Sequence, residues 1–184
     1  LLRVKNPMID EQVVLRPTLL HGLLEAVQTN FNHGAESVRL FEIGRVFAAG
    51  EKEESARLGL VLSGPKLGRS WRAGVGAAFD LFDLKALLES GLGVAPGFVR
   101  EDRPGLALCL RVEIAGIAVG FAGQLPPAGA RALDAAGPVL VAELALEPLH
   151  GVAGGMRSAF RGLAKYPAVV RDIALLAPDA VTHE

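Results

Sequence analysis

The chain of 184 residues contains one cysteine, one tryptophan, one tyrosine and almost no net charge. The single Cys109 excludes an intramolecular disulfide, and no histidine or second cysteine stands at a metal-ligand spacing from it. A formal net charge of -1 gives no electrostatic footprint for phosphate backbones, so we expect this segment alone to bind nucleic acid poorly. No apolar run approaches the roughly 20 residues that span a bilayer. The start Leu-Leu-Arg-Val-Lys lacks a signal-peptide layout and a methionine. We therefore expect a piece of a longer cytoplasmic protein with no membrane partner.

Apolar residues are what the chain has in quantity. They make up 51% of the sequence, and the mean hydropathy is +0.36, which indicates a folded core and not a disordered chain. The length suits one domain of ordinary size and a remnant of another. We expect residues 1–155 to form that domain, and residues 156–184 to hold a linker and the incomplete start of a second unit.

The stretch Ser37 to Phe47 predicts the strand around which the rest of the domain is organised. Period-two alternation gives it two mostly apolar faces, so we expect it to be buried on both sides. One face carries Val38, Leu40, Glu42 and Val46, and the other carries Arg39, Phe41, Ile43, Arg45 and Phe47.

A buried carboxylate at Glu42 requires a cation or several backbone donors. Arg39 and Arg45 point to the opposite face of the strand, so we predict that Arg16 is the partner. Gly44 indicates a bulge or the close approach of another group. A structural ion pair is the favoured interpretation of Glu42, and a catalytic carboxylate is the alternative.

Further elements follow from helix and turn signals. Thr18 is a natural cap for a helix that ends at Gly34, and Asp80 opens a second helix with Asp83 near its positive end. We expect the second helix to close at Gly91. The remaining predictions are an antiparallel strand over Arg57–Ser63, a hairpin around Ala115-Gly116, a helix over Pro127–Ala136, and strands over Val139–Leu146 and Ala168–Leu176.

The segment Gly64 to Gly76 is rich in glycine and contains the only tryptophan, Trp71. A glycine-rich loop can cradle phosphate, but this one lacks the Gly-x-x-x-x-Gly-Lys-Ser/Thr spacing of a phosphate-binding loop. A mobile or lid-like loop is the favoured interpretation.

Several stretches of the chain form a recognisable series. They are Asn6-Pro7-Met8, Leu15 to Leu20 with Gly22 to Leu24, Arg39 to Phe47, Phe79 to Lys85, Phe121 to Pro126, Phe160-Arg161, Lys165 to Pro167, and Arg171 to Ala174. In this order and spacing, they resemble the β subunit of bacterial phenylalanyl-tRNA synthetase. The segment Phe121 to Pro126 is similar to a Gly-Glu-Leu-His segment of that family, but it has Gln124 and Pro126 where the family carries Glu and His.

The resemblance implies an α+β fold, with an antiparallel sheet flanked by helices like the catalytic domain of class II aminoacyl-tRNA synthetases. It implies that residues 1–155 are a non-catalytic core domain and that residues 156–184 begin a ferredoxin-like anticodon-binding domain. The implied partners are the α subunit of the heterotetramer and tRNA-Phe. The holoenzyme uses ATP and magnesium, whereas no cofactor is implied for this piece.

No catalytic, cofactor-binding or metal-binding residue carries over from the family. Class II enzymes place an arginine just beyond the strand that Arg39 to Phe47 resembles, and this chain has Ala48 there. The structural or interface candidates are Arg16, Glu42, Arg45, Asp83 and Lys85. The candidates on the tRNA side of a complete second domain are Arg161, Lys165, Tyr166 and Arg171.

Two functions remain open at the level of sequence. The first is a scaffold domain that packs on the α subunit and supports aminoacylation. The second is a regulatory paralogue that binds a small amino acid or nucleotide in a vestigial cleft, with Arg16, Glu42 and Arg45 as possible lining residues. We also expect apolar surface on such a piece to favour self-association.

Overall fold

The computed structural model describes residues 2, 3, 5, 13–48, 54–68, 71, 72, 74, 76–149, 171–174, 176 and 178. Helices and strands are mixed along this part of the chain. They are α1 (Leu20–Asn32), β1 (Val38–Phe47), β2 (Glu54–Ser63), α2 (Leu81–Leu92), β3 (Gly97–Glu101), β4 (Leu108–Ile114), β5 (Ile117–Gln124), α3 (Pro127–Ala132) and β6 (Val139–Ala145), followed by a 3-10 turn over Glu147–Leu149.

The strands form one antiparallel sheet in the order β1-β2-β6-β5-β4-β3. Residues from α1 and α3 pack into one apolar cluster on one face, and residues from α2 pack into a second cluster on the other. We call these the α1 face and the α2 face. The predicted α+β class is confirmed, and β1 and β3 are the two edges of the sheet.

Helix α1 is attached to the sheet by a buried carboxylate. Glu143 of β6 accepts hydrogen bonds from the Leu19 N–H at 2.7 Å and from the Thr18 hydroxyl at 2.9 Å. Thr18 in turn accepts from the Leu20 N–H at 3.1 Å, but the N-cap of the helix is Leu19, one residue later than predicted. A side chain at Gly59 would overlap Leu23, which means that the helix packs against bare backbone there.

The predicted end of α1 is correct, whereas the predicted ends of α2 and α3 are wrong. Helix α3 ends at Ala132 and not at Ala136. Gly34 follows α1 with a φ of +85°, as the predicted cap glycine does. Helix α2 continues past Gly91 and is capped by Gly93 in the left-handed conformation, so its predicted end was two residues early. Gly91 is exposed and has open space around it, so no packing requires the chain to leave the helix there.

The hairpin and the later strands follow the predicted pattern, with one omission. Ala115 and Gly116 both have positive φ, 51° and 78°, which matches the twist of a tight β4–β5 hairpin. Strand β3 was not predicted. Its five residues begin with Gly97 and pair only with β4, so the stretch is too short to show a clear alternation.

Strand β1 contradicts the prediction that both of its faces are buried. On the α1 face Val38 and Val46 are buried, but on the α2 face Phe41 is 69% and Ile43 is 64% exposed. Helix α2 packs over β5 and β6, so it does not reach the edge strand. The apolar side chains Phe41 and Ile43 on this face of β1 therefore lie at the surface and not in the core.

Part of the predicted final strand is also wrong. Residues 171–174 are exposed and carry no strand assignment, so Arg171 does not lie on a strand. The other residues proposed for the tRNA side, Arg161, Lys165 and Tyr166, lie outside the described residues.

The attachment of α1 generates a stability prediction. Replacement of Glu143 by alanine leaves the buried Leu19 N–H without its acceptor, so Glu143→Ala should lower the free energy of unfolding by about 1–3 kcal/mol. Urea denaturation followed by circular dichroism measures this loss. The control is Glu36→Ala at an exposed position, and equal losses for the two variants would contradict the anchoring role of Glu143.

Candidate functional site

Arg16 joins the start of α1 to the outer side of β1. Its guanidinium lies 2.6 Å from the Glu42 carboxylate and donates to the backbone carbonyl of Arg45 at 2.9 Å. The Phe47 N–H donates to the Arg16 carbonyl at 2.9 Å. The predicted pairing of Arg16 with Glu42 is therefore confirmed. Both side chains are partly exposed, so the pair is a surface clamp and not a buried charge.

Gly44 makes this clamp possible. A Cβ built at Gly44 would overlap the Arg16 guanidinium and would lie 3.2 Å from the Glu42 carboxylate. The pairing of β1 with β2 is continuous from Val38 to Phe47, so Gly44 marks a close approach and not a bulge.

Arg45 does not join the same charge cluster. Its side chain lies on the α2 face and pairs with Glu54 of β2, whereas Glu42 lies on the α1 face. Arg16 contacts only the backbone carbonyl of Arg45. The structure therefore brings Arg16 and Glu42 together but does not bring the Arg45 guanidinium to them.

Asp83 belongs to a charged cluster at the start of α2. Asp80 accepts from the Phe82 and Asp83 N–H groups, and the Asp83 carboxylate accepts from the Asp80 N–H at 2.7 Å, which completes a capping box. Lys66 lies 2.7 Å from Asp83 and 3.1 Å from Asp80. Sequence reasoning missed Lys66, since nothing in its loop indicates where the lysine points.

The ion pairs of this cluster shift two pKa values. The hydrogen bonds that the Lys66 ammonium donates to the Asp83 and Asp80 carboxylates raise the pKa of Lys66. The hydrogen bond from Lys66 and the backbone N–H groups of α2 lower the pKa of Asp80. The cluster is exposed, so it holds the loop against the helix without burying charge.

Lys85 and Arg39 lie over aromatic rings. The Lys85 ammonium is 4.6 Å from the centre of the Phe98 ring and 5.9 Å from that of Phe82. The Arg39 guanidinium is 4.9 Å from the centre of the Phe79 ring and donates to the Lys66 carbonyl. Cation–π contacts of this kind connect α2 to β3, and connect Phe79, just before α2, to β1.

A cleft of about 400 Å³ opens between the end of α1, the start of the glycine-rich loop and the turn after α3. Arg16, Glu42 and Arg45 do not line it. The lining residues are Phe31, Ala35, Glu36, Gly64, Pro65, Gly76, Ala78, Asp134, Ala136 and Gly137. The volume is at the lower end for a small-molecule site, and the side chains around it supply carboxylates but no cation.

The described residues contain no group of three or more His, Cys, Asp or Glu side chains that could hold a metal ion. None of the helices in the described ranges is long and apolar enough to cross a membrane.

The capping box gives a pH prediction. Because the pKa of Asp80 is lower in the folded state, its contribution to stability is present above the unfolded value and is lost as the pH falls. We expect the stability advantage of the wild type over Asp80→Asn to shrink between about pH 5 and about pH 3. Thermal unfolding across this range measures the difference.

A Lys66→Met background is the control for this experiment. Without the lysine, the largest cause of the shift in Asp80 is absent, so the same comparison should depend less on pH. An unchanged pH dependence would show that Lys66 does not stabilise the ionised capping box.

Comparison with known proteins gives consistent results. The profile of a family described as "Phenylalanyl tRNA synthetase beta chain CLM domain" matches residues 1–146. The chain is 39% identical to the phenylalanine–tRNA ligase beta subunit of Novosphingobium aromaticivorans, covering 96% of this chain and 24% of that protein. It is 32% identical to the phenylalanine–tRNA ligase beta subunit of Oleidesulfovibrio alaskensis, and the match covers 97% of this chain and 23% of that protein. The chain thus spans about a quarter of the length of the curated relatives it matches.

Among solved structures, a pyrrolysyl-tRNA synthetase from Desulfitobacterium hafniense is similar, with a TM-score of 0.54, 19% identity, and coverage of 77% of this chain and 50% of that chain. At this identity the likeness concerns the fold alone, and it confirms the predicted class II synthetase-like architecture. The family profile covers most of the chain and agrees with relatives over nearly all of it. The chain therefore belongs to the family of the phenylalanyl-tRNA synthetase beta chain CLM domain.

Proposed function

We propose that this chain is a non-catalytic scaffold domain of a phenylalanine–tRNA ligase β subunit. In this role it packs on the α subunit and supports the aminoacylation of tRNA-Phe in the cytoplasm. The observation that carries the proposal is the match of residues 1–146 to the β chain CLM domain, together with relatives that are named as β subunits of the ligase.

The charge arrangement supports a non-catalytic role. A site that forms an adenylate needs cations that meet the phosphates as charge develops. Here Arg16 is held by Glu42, Arg45 by Glu54, and Lys66 by Asp80 and Asp83. The binding of a triphosphate by these groups would require the existing ion pairs to break. We therefore place ATP and magnesium with the α subunit of the holoenzyme, and expect this chain alone to be inactive.

In the proposed protein, the boundary between the core domain and the following segment lies near residue 155. Residues 1–155 form the core domain, and residues 156–184 form a linker and the start of an anticodon-binding domain. In the longer protein we assign Arg161, Lys165, Tyr166 and Arg171 to the tRNA side. We assign Asp83 and Lys85 to the interface with the α subunit, since both belong to α2, whose outer side exposes Phe82.

A second function rests on the cleft beside Phe31. Its aromatic wall, its two carboxylates and its size would suit a small molecule with an amine, such as an amino acid. The scaffold function is favoured because Arg16, Glu42 and Arg45 do not reach this cleft.

The test is size-exclusion chromatography with light scattering on the chain mixed with the α subunit of the same organism. The scaffold function predicts a mixed complex whose mass exceeds that of either component. A Lys85→Glu variant should weaken the complex, and Arg100→Glu, at an exposed position on β3, is the matched control. Absence of a complex, together with saturable phenylalanine or ATP binding by the chain alone in calorimetry, would favour the second function.

A further inference from the structure

In the part of the chain that the structure describes, the middle of the outer edge of β1 is unpaired. The strand is at one end of the sheet, and within the described ranges no other strand pairs with its outer side. Arg16 covers the edge only near Arg45 and Phe47, where it accepts from one backbone group and donates to the other. The stretch from Arg39 to Ile43 has no such cover among the described residues.

The hydrogen bonds of Arg16 also fix which backbone groups face outward. In an antiparallel ladder the N–H and C=O of one residue point to the same side, and alternate residues point to opposite sides. Because Phe47 and Arg45 bond outward to Arg16, the residues of the same parity, Arg39, Phe41 and Ile43, also direct their N–H and C=O groups outward. These three residues therefore present a short row of donors and acceptors to a neighbouring strand.

The same residues carry the largest exposed apolar side chains of the sheet. Phe41 and Ile43 are 69% and 64% exposed, and Leu60 and Leu58, directly opposite them on β2, are half-buried. Among the described residues, the unpaired backbone groups of β1 thus lie beside an apolar strip on the α2 face, formed by Phe41, Ile43, Leu58 and Leu60. Either feature alone is common, but together they indicate strand addition with side-chain burial.

We propose that this edge pairs with the same edge of a second copy of the chain, in antiparallel register about a two-fold axis at Phe41. The two sheets then form one continuous sheet across the dimer, and the apolar strips of both copies become contiguous. An antiparallel two-fold contact is self-complementary, because every outward donor of one copy meets an outward acceptor of the other. This proposal goes beyond the scaffold function and does not depend on the α subunit.

The charges on β1 select this register. With the axis at Phe41, the two Phe41 rings are opposite each other and Arg39 is opposite Ile43 of the second copy. An axis at Glu42 would place Glu42 opposite its own copy and Arg39 opposite Arg45, and like charges in cross-strand pairs are destabilising. An axis at Leu40 would place Phe41 opposite Arg39, whose guanidinium is already engaged over Phe79.

Cysteine cross-linking tests the register directly. Hydrogen-bonded antiparallel pairs have Cα atoms about 5.5 Å apart, which lies within the range of a disulfide. Phe41→Cys should therefore form a disulfide-linked dimer under mild oxidation. Phe82→Cys is the matched control, because Phe82 is a phenylalanine of α2 that is 77% exposed and lies outside the edge. We expect the Phe41 variant to cross-link at least about tenfold faster, whereas equal rates would overturn the register.

The mass in solution tests the dimer itself. Light scattering of the wild type should show a dimer that dissociates on dilution, and Ile43→Lys should raise the dissociation constant by about tenfold or more, since lysine protects sheet edges from pairing. Phe82→Lys should leave it unchanged. A wild type that stays monomeric at its highest soluble concentration would overturn the proposal, as would equal effects of the two lysines.

Both experiments use the chain without the α subunit, so their outcome is separate from that of the scaffold test. If Ile43→Lys fails to fold, as judged by circular dichroism, the cross-linking of Phe41→Cys still decides the matter. A mixed complex with the α subunit but no homodimer would leave the scaffold function standing and reject self-pairing.

Discussion

The hydrogen bonds of the Glu143 carboxylate are the constraint on which the arrangement of this domain depends. Glu143 lies on β6 near the middle of the sheet and binds the first residues of α1, although the two are far apart in the chain. A buried carboxylate without donors would be strongly destabilising, so the start of α1 must stay at this position. The bare backbone of Gly59, opposite Glu143 on β2, then lets the helix approach closely.

The position of α1 determines the chemistry of the β1 edge. Because α1 begins just after Arg16, the anchoring of Thr18 and Leu19 also places Arg16 beside β1. From there Arg16 reaches Glu42 and the carbonyl of Arg45, with Gly44 providing the space. One end of the edge is covered in this way, and no described residue pairs with the remainder. A single buried contact on β6 thus has consequences at the opposite, outer side of β1.

The features of the fold and of the candidate site that could be predicted from sequence are those determined by residues close together in the chain. Strand alternation correctly separated Glu42 from Arg39 and Arg45, and the candidate named in their place, Arg16, is its partner. The capping of α2 by Asp80 and the turn at Ala115-Gly116 also follow from signals within a few residues. Lys66 and Glu143 were missed because their roles depend on tertiary position. The insertion of β6 between β2 and β5 is not a local property either, since β6 is the last strand in the described part of the chain.

The wrong prediction for β1 has a physical explanation that matters for function. Apolar residues on both sides of a strand are typical of a strand covered on both faces, but an edge strand that binds another chain has the same pattern. Sequence alone cannot separate the two, because burial by the same chain and burial by a partner require the same side chains. Within the described residues, α2 leaves Phe41 and Ile43 uncovered next to backbone groups that no other strand pairs with. The apolar pattern of β1 is therefore explained by its position at the edge of the sheet and not by burial in the core, and the self-pairing proposed above depends on this difference.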